Sequence, residues 1–148
     1  MTGTEPRRVL VLNGPNLGRL GSREPDVYGA LDAAGLATAI RGWAADLGLA
    51  ADVRQTDDEA TLIRWLGEAV DTRSDVVLNP AAFTHYSYAL RDAGAQLTTT
   101  GLRLIEVHLT NPAARERFRH NSVVAGVATG TVAGFGPDSY RLALQALA

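Results

Sequence analysis

The chain contains neither cysteine nor lysine, and each absence removes a class of chemistry. Without cysteine there is no disulfide, no thiolate nucleophile and no cysteine-bound metal. All 14 basic residues are arginine, so no ε-amine can form a Schiff base and no Walker-type lysine can reach a nucleotide phosphate. The chemistry must come from Arg, Asp, Glu, Tyr, His and amide groups. Charge of one sign is also scarce: the net charge is -2, the pI is near 5.9, and no basic block forms a patch for nucleic acid or an anionic membrane. No apolar run reaches the roughly 18 residues that cross a bilayer. The opening MTGTEPRRV lacks the apolar core of a signal peptide, so the expectation is a soluble, cytoplasmic protein. Gly14, Gly18 and Gly21 do not fit G-x-G-x-x-G, and the three histidines lack H-E-x-x-H spacing. A zinc site would have to gather histidine and carboxylates from distant segments, so no metal is assigned.

What is present suits one catalytic domain over 1–148, with 46% hydrophobic residues to build a core. The organising stretch runs from Val9 to Tyr28. Val9, Leu10, Val11 and Leu12 are a continuous apolar run, as in a strand covered on both faces of a parallel sheet. Asn13 ends it. Gly14, Pro15, Asn16, Gly18 and Gly21 then impose a shaped loop that carries Arg19, Arg23 and Tyr28, suited to act as a lid.

Leu31, Leu36, Ile40, Trp43 and Leu47 mark an amphipathic helix over about 30–47, closed by Gly48. A second strand follows over 50–54. Thr56 with Glu59 forms a candidate capping box for a second helix carrying Leu62, Leu66 and Val70. Val76 to Leu78 is a third strand, ended by Asn79 and Pro80. Residues 81–95 begin as a loop and become a third helix with Gly94 near its end. A fourth strand spans Leu102 to Val107 and stops at His108, Pro112 opens a short helical turn, a fifth strand is expected over Val123 to Ala128, and a last helix over 137–147. Alternating strands and helices predict a doubly wound, five-stranded parallel α/β sheet of flavodoxin-like order 2-1-3-4-5.

In such sheets ligands bind beyond the carboxyl ends of the strands, where strand order reverses. Asn13, Asn79 and His108 each stand where a strand ends, and His85 follows the third strand. Taken singly, each asparagine reads as a turn former, and a lone histidine as a hydrogen-bonded structural residue, as His120 does beside Arg119 and Asn121. Their shared position raises the functional reading.

The run NGPNLGRLG from Asn13, then Arg23-Glu24-Pro25 and Tyr28-Gly29, NPAAFTH from Asn79 to His85, Ile105 to His108, and Arg115 with Phe118 and Arg119 closely resemble the type II 3-dehydroquinate dehydratases. The motifs agree in order and spacing over nearly the whole chain. The resemblance implies a flavodoxin-like fold and loss of water from 3-dehydroquinate through an enolate, the third step of the shikimate pathway. It also implies no cofactor and a homododecamer built as a tetramer of trimers. The absent lysine agrees independently, since the unrelated type I enzymes use a lysine Schiff base.

By the same resemblance Tyr28 is the base. Its phenol, ordinarily near pKa about 10, would need a cation such as Arg23 to favour the phenolate. Asn13 would hold a water against the enolate oxygen, and His108, oriented by Glu106, would be the general acid. Asn79, His85, Leu109, Thr110 and Arg119 would bind the substrate, while Asp92 would reach the site of an adjacent subunit. Thr110 stands where serine is usual, Phe83 where tyrosine is frequent, and 97–104 is about two residues longer than typical. The rival reading is a flavodoxin-like module that binds a small anion or flavin phosphate without turnover.

Overall fold

The computed structural model describes residues 5–22 and 31–148. The strands are β1 (Arg7–Asn13), β2 (Leu49–Gln55), β3 (Asp75–Asn79), β4 (Leu104–His108) and β5 (Gly130–Ala133). They pair in parallel in the order β2-β1-β3-β4-β5. The described α-helices are α1 (Ala33–Asp46), α2 (Glu59–Thr72), α3 (Tyr88–Thr99) and α4 (Asp138–Leu147). The result is the doubly wound α/β sheet of flavodoxin-like order that the alternation of elements predicts.

Strand alternation divides the core in two. Val9 and Val11 face one side with Leu36 and Ile40 of α1 and Ala143, Leu144 and Leu147 of α4. Leu10 and Leu12 face the other, with Leu62 and Leu66 of α2 and Leu90 and Leu97 of α3. β1 is therefore covered on both faces, which is why its sequence is an unbroken apolar run. Each fully buried leucine or valine removes enough apolar surface from water to contribute about 1.5–3 kcal/mol. The first three of these helices start at side-chain caps: Asp32 accepts from Gly35 N, Asp58 from Thr61 N and Ser87 from Leu90 N.

Three local expectations change. The fifth strand lies at Gly130–Ala133, not 123–128. Val124 is instead buried beneath the sheet with Val123 beside it, so that apolar run serves the core, and the ladder resumes only where Thr129 N donates to Leu104 O at 2.7 Å. The cap of α2 is Asp58 rather than a Thr56–Glu59 box. Thr56 Oγ1 accepts from Asp58 N, and the Glu59 carboxylate takes the Ser87 hydroxyl at the start of α3. Gly94 lies within α3, which runs to Thr99. A Cβ there would stand 3.1 Å from Leu104 Cδ2, so this glycine permits close helix–sheet contact and is not a stop signal.

Register places the strand ends. Asn13 pairs with Asn79 on β3 and with Gln55 on β2. Gly14 N donates to Asn79 O at 2.8 Å, and a Cβ on Gly14 would lie 2.8 Å from Pro80 O. Only glycine lets the two loops leave the sheet this close together.

Candidate active site

Beyond the carboxyl ends of β1 and β3, the two asparagines meet a residue of the last helix. Tyr140, in the first turn of α4, is wholly buried; its hydroxyl donates to Asn13 Oδ1 at 2.6 Å and accepts from Asn79 Nδ2 at 2.9 Å. Asn79 Oδ1 accepts from Ala81 N at 3.1 Å. Ala81 has φ 51°, a left-handed conformation that costs an L-residue roughly 1–2 kcal/mol and is held here by that bond. Burial pushes the Tyr140 phenol above its ordinary value, more than its Asn79 hydrogen bond lowers it, so it remains a protonated donor.

At the end of β4, the i, i+2 spacing of Glu106 and His108 puts both side chains on one face of the sheet. His108 Nε2 lies 2.6 Å from Glu106 Oε2. Thr84 Oγ1 donates to the same oxygen at 2.5 Å, and Ser122 Oγ lies 3.0 Å from both carboxylate oxygens. Glu106 has no exposed surface. Burial pushes its carboxyl upward, yet the hydrogen bonds of His108, Thr84 and Ser122 together outweigh burial and hold it below the usual carboxylate value. A carboxylate only accepts, so the imidazole Nε2 carries the shared proton and Nδ1 is left for a ligand.

One cleft gathers Asn79, His85, His108, Leu109, Thr110 and Arg119. His85 Nδ1 lies 2.8 Å from Asn121 O, which fixes its proton there and leaves Nε2 as an acceptor; the ring meets Phe118 edge-on at 5.8 Å. Arg119 Nε donates to Glu116 at 2.9 Å, its guanidinium lies 4.6 Å from the Phe118 ring centre, and the side chain is only 16% exposed. Arg115 stands on the same wall and reaches Thr110 Oγ1 at 3.4 Å. Two arginines over a strand-end cleft suit a carboxylate or similar anion. Among the described residues no cluster of three or more His, Asp or Glu side chains is arranged to hold a metal.

The family profile described as dehydroquinase class II matches residues 7–148. The chain belongs to the class II dehydroquinase family. A 3-dehydroquinate dehydratase of Salinispora tropica is 56% identical over 141 residues, 95% of this chain and 96% of the relative. One of Mycobacterium avium is 53% identical over 140 residues, covering 95% and 96%. The crystal structure of type II dehydroquinase from Propionibacterium acnes superposes with a TM-score of 0.92 at 50% identity, covering 95% of each chain.

Within this dehydroquinase fold the expected site residues fall into groups. Asn79, His85, His108, Leu109, Thr110 and Arg119 share the cleft, with Glu106 buried behind His108. Asn13 lines an adjoining hollow with Gln55 and α1, and Leu17 forms a wall of both. Asp92 is not brought to the cleft: it lies exposed on α3, paired with Arg91 at 2.9 Å. Arg23 and Tyr28 lie outside the described residues. Sequence reasoning overlooked Thr84 and Ser122 on Glu106, and Tyr140 behind the asparagines. Tyr140 reads as part of the apolar stripe Tyr140, Ala143, Leu144 and Leu147; the available signal was that a phenol in a fully buried stripe needs a polar partner.

Proposed function

We infer that this chain removes water from 3-dehydroquinate to give 3-dehydroshikimate, a hydro-lyase step of the shikimate route to chorismate and the aromatic amino acids. Membership of the class II dehydroquinases supports the reaction, and the observation that carries its mechanism is the His108–Glu106 pair opening on a cleft with two arginines. A base takes the proton beside the ketone, and the electron pair moves onto the ketone oxygen as an enolate. The enolate then collapses, the carbon–oxygen bond of the β-hydroxyl breaks, and that oxygen leaves with a proton from an acid.

In this reading Tyr28 is the base, made acidic by Arg23, and Asn13 meets the enolate oxygen through a water. His108 is the acid. Glu106 holds its ring with Nδ1 toward the substrate. Asn79, His85, Thr110 and the backbone at Leu109 bind the hydroxyls, and Arg119 takes the substrate carboxylate. The exposed position of Asp92 suits a contribution to a neighbouring subunit's site in a homododecamer of four trimers, placed in the cytoplasm. The flavin-module reading is not favoured: it has no use for a buried carboxylate on the imidazole.

The test is to incubate the purified protein with 3-dehydroquinate, without metal or cofactor, and follow the ultraviolet absorbance of the conjugated product. A steady rise that survives borohydride and EDTA is expected. A flat trace from folded protein would overturn the reading.

A further inference from the structure

The amide orientation of Asn13 follows from a chain of obligate donors. Side-chain amides can be turned either way, so which atom faces a ligand has to be argued from partners. Ala81 N is a backbone group that can only donate. It points at Asn79 and therefore fixes Oδ1 of that amide as the acceptor. The other end, Nδ2, must then face Tyr140 and donate to its oxygen. The phenol has one proton, and with its oxygen already accepting from Asn79 that proton goes to Asn13, whose Oδ1 must receive it. Asn13 is left with Nδ2 pointing away. That nitrogen makes no bond to a described residue, and no buried side-chain nitrogen or oxygen among the described residues lacks a partner, so Nδ2 is the end that meets the hollow.

We propose that Tyr140 is a positioning residue for the dehydration: its hydroxyl locks Asn13 so that a donor, and never an acceptor, faces the hollow adjoining the substrate cleft, where a water held against the enolate would sit. An enolate oxygen, or a water held against it, needs hydrogen-bond donors. A turned amide would present a lone pair to a growing negative charge. α4 is held at its far end as well, where Arg7 and Arg103 both reach Leu147 O. The phenol is thus carried on a helix anchored at both ends of the sheet. The inference rests on the role given to Asn13 above, and the test separates the two.

Tyr140→Phe keeps the ring and removes the hydroxyl. With Asn13 free to turn, kcat should fall at least about tenfold, part of the 10²–10³ that a missing oxyanion donor costs, while KM changes less than about threefold. Asn13→Ala should be slow by itself. In that background Tyr140→Phe should change the residual rate by less than about twofold, because the group it positions is gone. A purely structural tyrosine would instead cost the same factor in both backgrounds. Asn13→Asp supplies a second route should Tyr140→Phe fold poorly: it still accepts from the phenol but presents oxygen to the hollow, and it should be about as slow as Asn13→Ala. A slow Asn13→Ala with a normal Tyr140→Phe, or additive losses, would overturn the positioning role alone. A normal Asn13→Ala would overturn the role of Asn13 and the inference together.

Discussion

Two buried carboxylates stand on neighbouring central strands, at opposite ends of the sheet, and their partners differ in kind. Asp75, at the start of β3, takes Arg7 at 2.8 Å and Arg103 at 3.0 Å through Oδ2, and Arg103 N at 2.8 Å through Oδ1. The same arginines cap the last carbonyls of α4. Glu106, near the end of β4, has an imidazole and two hydroxyls instead. Guanidinium charge is permanent over any accessible pH, so the Asp75 cluster is a clamp. An imidazole and a hydroxyl can each donate or accept, so the Glu106 cluster can take part in proton transfer. Burial by itself therefore does not set a carboxylate's role; the partner's chemistry decides it.

The sharpest way to break the contrast is His108→Ala. It should lower kcat about 10³-fold, within the range that a general acid contributes, with the protein still folded by circular dichroism. Glu106→Gln comes next, with kcat falling about 10²-fold because a neutral amide holds the His108 ring through a weaker hydrogen bond than the carboxylate does. Its acid unfolding should change too. The folded Glu106 carboxyl lies below its ordinary value of about 4.3, so its stabilisation is full above that pH and is lost as pH falls through the lower folded value. Glu106→Gln should flatten that part of the stability–pH curve, and an unchanged curve would contradict the assignment.

At the other end of the sheet, Asp75→Ala should cost about 2 kcal/mol of stability, as expected for charged hydrogen bonds whose arginines can still reach solvent. Its kcat per folded molecule should stay within about twofold of the parent. Thermal unfolding and active-site titration check both, and a large kcat loss would mean that Asp75 is more than a clamp. The smallest effect on stability is expected from Ser122→Ala, which removes one of three donors to Glu106 and should cost about 1 kcal/mol, with kcat reduced a few-fold.

Much of this arrangement was legible in the chain. The β1 run Val9 to Leu12, the asparagines that end β1 and β3, and His108 at the end of β4 all follow from periodicity and from the rule that open α/β sheets bind at strand ends. Glu106 was paired with His108 only through the family resemblance, although strand alternation puts residues two apart on one face. The fifth strand was misplaced because Val123 and Val124 are as apolar as a strand yet pack beneath the sheet, and apolarity does not say which surface buries a residue. Gly94 misled for a related reason, since a glycine that ends a helix and one that lets a helix approach a sheet look alike in one dimension.

The sequence by itself determined what lies within a few residues: the buried strands, the amphipathic helices, the one-sided Glu106–His108 pair, and a chemistry confined to arginine, carboxylate, phenol, imidazole and amide. Tertiary structure decided what depends on strand order and helix seating. Asn13 and Asn79 became neighbours only because β3 pairs with β1. Tyr140 reached both only because α4 packs across the end of that pair, 127 positions along the chain from Asn13. Local periodicity records which face of an element is buried. It does not record which distant donor that face will meet, because that choice is made when the sheet is assembled.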